Sequence, residues 1–252
     1  MNAPATFHVE ELGSTNDRAL QLARDGQSTG TAVTATRQSA GRGRLGRTWE
    51  TPEGSLALSV LHRPGRAIEE TASLTPCVAV ALVRGLRELG VEARIKWPND
   101  LRIGGRKVSG ILCELHEISP AERVVIVGIG LNVMVSEFPA ELEELATSLS
   151  RHGCDASLET VTETVLTHVR RALVMHDRGA DVPDEYEALL EGVGQRVQWT
   201  EDGTRREATL VGARLRDGAL RVVDEGVEHF ITSGELALVG SAERGRATGG
   251  LS

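Results

Sequence analysis

Apolar and polar side chains alternate over residues 7–12 (FHVEEL), the two-residue period of a half-buried strand. Ser14-Thr15-Asn16-Asp17 then offers an N-cap, with Leu20 and Ala23 at helical spacing behind it and Gly26 as a stop. The β-branched stretch 31–36 (TAVTAT) and the alternating stretch 55–61 (SLALSVL) predict strands, with a Gly- and Arg-rich loop over 38–54 between them. Leu74, Val78, Leu82, Leu86 and Leu89 recur at three- and four-residue steps and predict a helix over 68–89, closed by Gly90. Short strands at 94–97 and 101–103 lead into a Gly104-Gly105 hairpin turn, which returns the chain along 106–115 and on to 124–133. Leu158, Val161, Val165, Val169 and Leu173 mark another helix, and Tyr186, Leu189 and Leu190 a shorter one ended by Gly192 and Gly194.

The pattern changes near Gly192. Five short alternating segments follow, at 197–200, 207–215, 220–224, 227–232 and 236–239, separated by turns at Glu201-Asp202-Gly203, Asp217-Gly218 and Glu225-Gly226. So many strands in so short a stretch predict a small barrel. The fold class is therefore α+β: a mixed β-sheet with flanking helices over 1–192, a small β-barrel over 193–240 and a flexible tail over 241–252.

Composition narrows the function classes. The chain has 252 residues, 40% hydrophobic and 25% charged, with a net charge of −8. That balance is ordinary for a globular protein and lacks the basic footprint of a general nucleic-acid or anionic-membrane binder. The longest apolar run, 124–135, interrupted by Asn132, falls short of the ~20 residues of a membrane span. The first residues show no basic segment followed by an apolar one, and the three cysteines are odd in number and widely spaced. Both features fit a reducing cytoplasm. One count is unusual: of 28 basic residues 26 are Arg, and the two lysines, Lys96 and Lys107, lie only 11 positions apart.

Two stretches carry candidate chemistry. The stretch Gly41-Arg42-Gly43-Arg44-Leu45-Gly46-Arg47-Thr48-Trp49 is dense in Gly and Arg, and with Arg37 added, residues 37–47 hold four arginines and no acid. Glycines let backbone N–H groups approach a ligand, and guanidinium forks match carboxylate or phosphate oxygens, so the loop reads as one that closes on an anion. A solvated connector is the plainer alternative, which the flanking strands and Trp49 weigh against. The second stretch is Lys96-Trp97-Pro98-Asn99-Asp100 followed by Lys107-Val108-Ser109-Gly110-Ile111-Leu112-Cys113-Glu114. A turn and a hairpin bring Lys96, Asn99, Asp100 and Lys107 together. Lysine supplies a compact charge for a phosphate, and Asp100 suits Mg²⁺, which takes carboxylate and phosphate oxygens. Gly128-Ile129-Gly130-Leu131-Asn132-Val133 is not a dinucleotide fingerprint, because its sixth position is Val133 and no clear helix follows. It reads instead as closely approached backbone on a central strand, with Asn132 as polar lining.

Together, Ser14-Thr15-Asn16, the 41–49 loop, Lys96–Asp100, Lys107–Glu114 and 128–133 resemble the biotin–protein ligases, in that order along the chain. The resemblance covers about residues 7–240. It implies a class II synthetase-like catalytic domain with a C-terminal SH3-like barrel, and a two-step reaction. Biotin and ATP give biotinyl-5′-AMP and pyrophosphate, and a carrier lysine then displaces AMP. It implies biotin contacts at Ser14, Thr15, Asn16, Gln38, Arg42, Gly43, Arg44, Lys107, Gly110 and Ile111. It implies ATP contacts at Arg42, Arg44, Trp49, Lys96, Asn99, Lys107, Asn132 and Ala146. Lys107, Arg44 and Asp100 are the expected catalytic groups, with Asp100 on Mg²⁺ and no tightly bound cofactor. The expected partner is the biotin carboxyl carrier domain of an acyl-CoA carboxylase, with neither nucleic acid nor membrane. The catalytic pattern starts by Phe7, leaving no room for the helix-turn-helix domain of some members. A cytoplasmic monomer or weak homodimer of monofunctional type is the expectation. A lipoate or octanoate ligase or transferase is the alternative within the same fold group.

Overall fold

A computed structural model describes residues 4–239 apart from 66, 181–183, 202 and 215, with side chains left undescribed at 68–70. The tail expected at 241–252, and Asp202, Leu215 and Gly240 of the expected barrel, lie outside the described residues. The elements are β1 (Thr6–Leu12), α1 (Thr15–Arg24), β2 (Ala32–Gln38), β3 (Ser55–His62), α2 (Leu74–Glu88), β4 (Arg94–Lys96), β5 (Asp100–Ile103), β6 (Arg106–Ser119), β7 (Glu122–Asn132), α3 (Leu158–Asp177) and α4 (Glu185–Leu189). Then come β8 (Arg196–Glu201), β9 (Thr204–Ala213), β10 (Leu220–Asp224), β11 (Val227–Ile231) and β12 (Ala237–Leu238). The first seven strands form one sheet in the order β1-β2-β3-β7-β6-β5-β4, and the last five a second sheet in the order β11-β10-β9-β8-β12. In the large sheet β1 and β2 pair parallel and the other neighbours antiparallel, so the sheet is mixed, as the sequence predicts.

Alternation along β3 and β7 divides the core. Leu56, Leu58 and Val60, with Val125, Val127, Ile129 and Leu131, face α2 and α3 in the main core. On the opposite face Leu61, Val124 and Ile126 pack against Ala19, Leu22 and Ala23 of α1. Farther along that second face, β7 carries Gly128 and Gly130 in place of large side chains. This substitution along one face opens the space described below.

The helix predicted over 68–89 is two elements: a 3-10 segment, Ile68–Ser73, and then α2. Pro76 accounts for the break. It lacks an N–H, and its ring clashes with the carbonyl four residues back, so it is accepted in a first turn but not inside a longer α-helix. α2 is buried nearly all round because the large sheet, α3, α4 and the turn at Gly218 all lie against it. Among the described residues no helix is long and apolar enough to cross a membrane.

The two sheets share apolar core, since Val197, Ala208, Leu210 and Val222 belong to the same cluster as Ile95, Trp97 and Leu101. Polar contacts join them as well, among them the buried Trp97 indole Nε1, which donates to Gly218 O at 3.1 Å. A second buried polar group, His62, closes β3. Burial pushes its pKa down to about 4 against the pull of the Asp177 carboxylate, so the ring is neutral at neutral pH. Replacing Trp97 by Phe should remove the Trp97–Gly218 bond and strand a carbonyl, costing about 1–3 kcal/mol in urea unfolding. An unchanged midpoint would show that the bond does not hold the sheets together.

Candidate active site

The glycine positions on β7 are filled from outside the strand. A Cβ on Gly130 would overlap the Trp49 indole, and one on Gly128 would overlap the Asn16 carboxamide. Gly110 pairs with Gly130 across the β6–β7 ladder, and a Cβ there would stand 3.2 Å from Trp49. Gly110 and Gly130 thus make a flat backbone surface on which the indole lies, and Gly128 leaves room beside it for Asn16. Trp49 is delivered by the Gly/Arg stretch, which closes on itself as a hairpin: Gly43 N donates to Arg47 O at 2.7 Å and Trp49 N to Gly41 O at 3.0 Å. Leu45 at its tip is 73% exposed and left-handed, with φ 57°, a conformation that disfavours L residues.

At the start of α1, Ser14 caps the helix and accepts from Asn16 N at 3.3 Å. Gln38 Oε1 accepts from Thr15 N at 2.8 Å and from Thr15 Oγ1 at 3.0 Å. The fully buried Ser59 hydroxyl on β3 lies 2.7 Å from Thr15 Oγ1 and 2.5 Å from Asn16 Oδ1. The Asn16 amide donates to Glu114 Oε2 at 2.6 Å. Arg42 reaches both that carboxylate, at 3.2 Å, and Asp17, at 2.8 and 2.9 Å. Hydrogen bonding to Arg42 holds the Asp17 carboxyl below its ordinary range, and bonds to Asp17 and Glu114 raise the Arg42 guanidinium. A hydroxyl, two carboxamides and a guanidinium are thereby fixed before any ligand arrives.

The opposite wall is cationic. Lys107 Nζ lies 2.7 Å from Asp100 Oδ1 and 5.4 Å from the centroid of the Trp49 ring. Lys96 is half-buried, and burial, reinforced by Arg102, lowers its pKa. Asn99 donates to Ile111 O at 2.8 Å and accepts from Arg44 Nη1 at 3.2 Å, fastening the loop to the hairpin. Arg47 pairs with Glu235 of the C-terminal segment at 2.6 Å. The cavity between these walls, about 160 Å³, is bounded by an arginine loop, two lysines, an indole and a row of small polar groups.

Fourteen of the sixteen residues expected from the sequence line this cavity; Asn132 and Ala146 do not. Asn132 is buried, and its amide donates to Thr147 O at 3.0 Å rather than into the cavity. Ala146 bridges to Lys107, whose N and O bond Leu145 O and Thr147 N, each at 2.8 Å. Asn132 holds the 145–149 segment to β7, and Ala146 holds it to β6, the strand that carries Lys107. Sequence reasoning missed Ser59, Glu114, Asp17, Glu235 and Leu236. A hydroxyl in the apolar run 55–61 and a carboxylate on the glycine face of β6 are local signals for the first two. Glu235 and Leu236 arrive from the second sheet, and no local spacing announces them.

Residues 10–132 match the Biotin/lipoate A/B protein ligase family. The Bifunctional ligase/repressor BirA of Bacillus subtilis is 44% identical over 149 residues, which span 58% of this chain and 46% of that protein. The protein of the same name from Bacillus spizizenii is 42% identical over 246 residues, 94% of this chain and 72% of the relative. The chain thus spans about half of the first relative and nearly three quarters of the second. Among solved structures, the biotin protein ligase of Aquifex aeolicus in complex with biotin and ATP superposes with a TM-score of 0.79 at 30% identity, covering 93% of this chain and 98% of that one. On a likeness that covers more than nine tenths of its length, the chain belongs to the biotin protein ligase family.

Proposed function

We propose that this protein activates biotin with ATP as biotinyl-5′-AMP and transfers the biotinyl group to a lysine of a biotin carboxyl carrier domain of an acyl-CoA carboxylase. The observation that carries the reading is the cavity itself. Small hydrogen-bonding groups (Ser14, Thr15, Asn16, Gln38) stand at one side with Arg42 beside them, and Arg44, Lys96 and Lys107 at the other, with Trp49 over the backbone floor. In the first step a biotin carboxylate oxygen attacks the α-phosphorus and pyrophosphate leaves. Both reactants are anions, so fixed positive charge must offset their repulsion. Lys107 and Arg44 are the proposed catalytic pair for this. Lys96 and Asn99 take the phosphates, and Arg42 acts from its carboxylate brace. In the second step the carrier amine attacks the acyl carbon and AMP leaves. The arginine hairpin, with Gly43 in its backbone, covers the mixed anhydride against water.

Gly110 and Ile111 offer backbone and apolar contact to biotin, while Asn132 and Ala146 serve ATP by holding the adjoining segment. Mg²⁺ is proposed to travel with the ATP phosphates. Asp100 offers it a carboxylate on the cavity wall, shared with Lys107 at 2.7 Å, and the ion would supply further neutralisation of phosphate charge. The reading takes 1–192 as the catalytic unit and 193–240 as an SH3-like unit that contributes Glu235 and Leu236 to the rim. It takes the protein to be a cytoplasmic monomer or weak homodimer.

Labelled biotin, Mg·ATP and a biotin carrier domain incubated with the protein should yield label on the carrier lysine. An unlabelled carrier would sink the ligase reading, and labelling with lipoate alone would transfer it to the lipoate branch. Lys107→Ala should slow biotin-dependent pyrophosphate release by about 100- to 1,000-fold, since removing one preorganised donor costs a rate factor of that order. An unchanged rate would remove Lys107 from the chemistry. Gly130→Ala should displace the Trp49 indole, weakening biotin binding at least about tenfold in calorimetry and shifting tryptophan emission while the fold survives. Retained affinity would show that the flat floor is not part of the site.

A further inference from the structure

Away from the cavity, β3 ends and α3 ends at the same place. His62 is the last residue of β3, and His176 and Asp177 are the last two of α3. Each offers one ligand atom, and the three atoms lie within 4.8 Å of one another. His62 Nε2 stands 3.4 Å from Asp177 Oδ1, and the two imidazoles meet edge to face with centroids 6.0 Å apart. Both histidines are buried. None of the three residues lines the cavity.

His62 is the anomaly. It is fully buried, yet neither ring nitrogen has a hydrogen-bond partner among the described residues. A buried imidazole that makes no hydrogen bond is unfavourable, and its ring nitrogen carries a lone pair that a metal cation can accept. We propose that His62, His176 and Asp177 bind a divalent transition-metal ion of the zinc class.

Four features fit this set. Two imidazoles and one carboxylate are donors that zinc accepts, leaving a fourth position for water. Zinc–ligand distances of about 2.0–2.2 Å place tetrahedral neighbours about 3.4 Å apart, the spacing already present between His62 and Asp177. The outer contacts are also present: Ser73 Oγ lies 3.0 Å from His176 Nε2, and Gly65 N donates to Asp177 Oδ1 at 3.1 Å. Ligating histidines and carboxylates are commonly oriented by such partners. Finally, the site lies at the C-terminal end of the 20-residue α3, whose partial negative charge favours a cation. The ion would clamp α3 to the strand that carries Ser59 three residues earlier. It would act on stability and not in the ligase reaction.

The test uses the full-length protein stripped with a chelator and titrated with Zn²⁺ against a chromophoric competitor, with thermal melting in parallel. One equivalent should bind and raise Tm, and excess Mg²⁺ should not displace it. His62→Ala and Asp177→Asn should each weaken binding by more than about 100-fold, and Ser73→Ala by about 10- to 100-fold, the range for loss of an outer-shell partner. Asp177→Asn preserves shape at a partly exposed position, so it decides the matter should His62→Ala not fold. Absence of stoichiometric binding would overturn the proposal, as would wild-type affinity in Asp177→Asn, which would put the ion elsewhere.

Discussion

One face of one strand sets the terms for the rest. Along β7 the side facing α1 reads Val124, Ile126, Gly128, Gly130. The first two bury α1, and the last two leave room that an indole and a carboxamide occupy. Strand alternation makes this economical: Val125, Val127, Ile129 and Leu131 keep the opposite face packed without interruption. The sheet is therefore solid on one side and concave on the other at the same residues. Each group at the site is defined relative to that floor, Trp49 lying on it, Asn16 abutting it and Lys107 rising from the neighbouring strand.

Charge is arranged by the same geometry. The chain is acidic overall at −8, yet five cations edge the cavity. Like charges so close would repel, and the structure offsets this with carboxylates drawn from distant parts of the chain. Asp100 faces Lys107, Asp17 and Glu114 face Arg42, and Glu235 faces Arg47. These pairs are partly exposed, so each contributes little to stability. Their value lies in holding long side chains in one orientation, so that less freedom is lost when a ligand binds.

Much of this was legible in the sequence because the informative contacts are short-range. The Gly104-Gly105 turn predicts that Asp100 and Lys107 meet, and they do, at 2.7 Å. The Ser-Thr-Asn cap, the arginine loop and the glycine pair on β7 all appear where their local patterns put them. The missed contacts share a cause. Ser59 bonds Thr15 and Asn16 over more than 40 residues of chain, and Glu114 bonds Asn16 across 98. Register in a mixed sheet decides such encounters, and no periodicity encodes it. Asn132 was read as pocket lining because alternation gives a face and not a partner. The split before α2 is legible in Pro76, and the recurrence of leucines and valines itself begins only at Leu74, the first residue of that helix.

The scarcity of lysine has a consequence for selectivity. An acyl adenylate reacts with amines and leaves guanidinium groups alone. Outside the cavity this chain has no ε-amine at all, since Lys96 and Lys107 both line it and the other 26 basic residues are arginine. Solubility and ion pairing are thus entrusted to a side chain that the intermediate cannot acylate. In the transfer reaction proposed above, a carrier lysine would compete with almost no other amine of this chain.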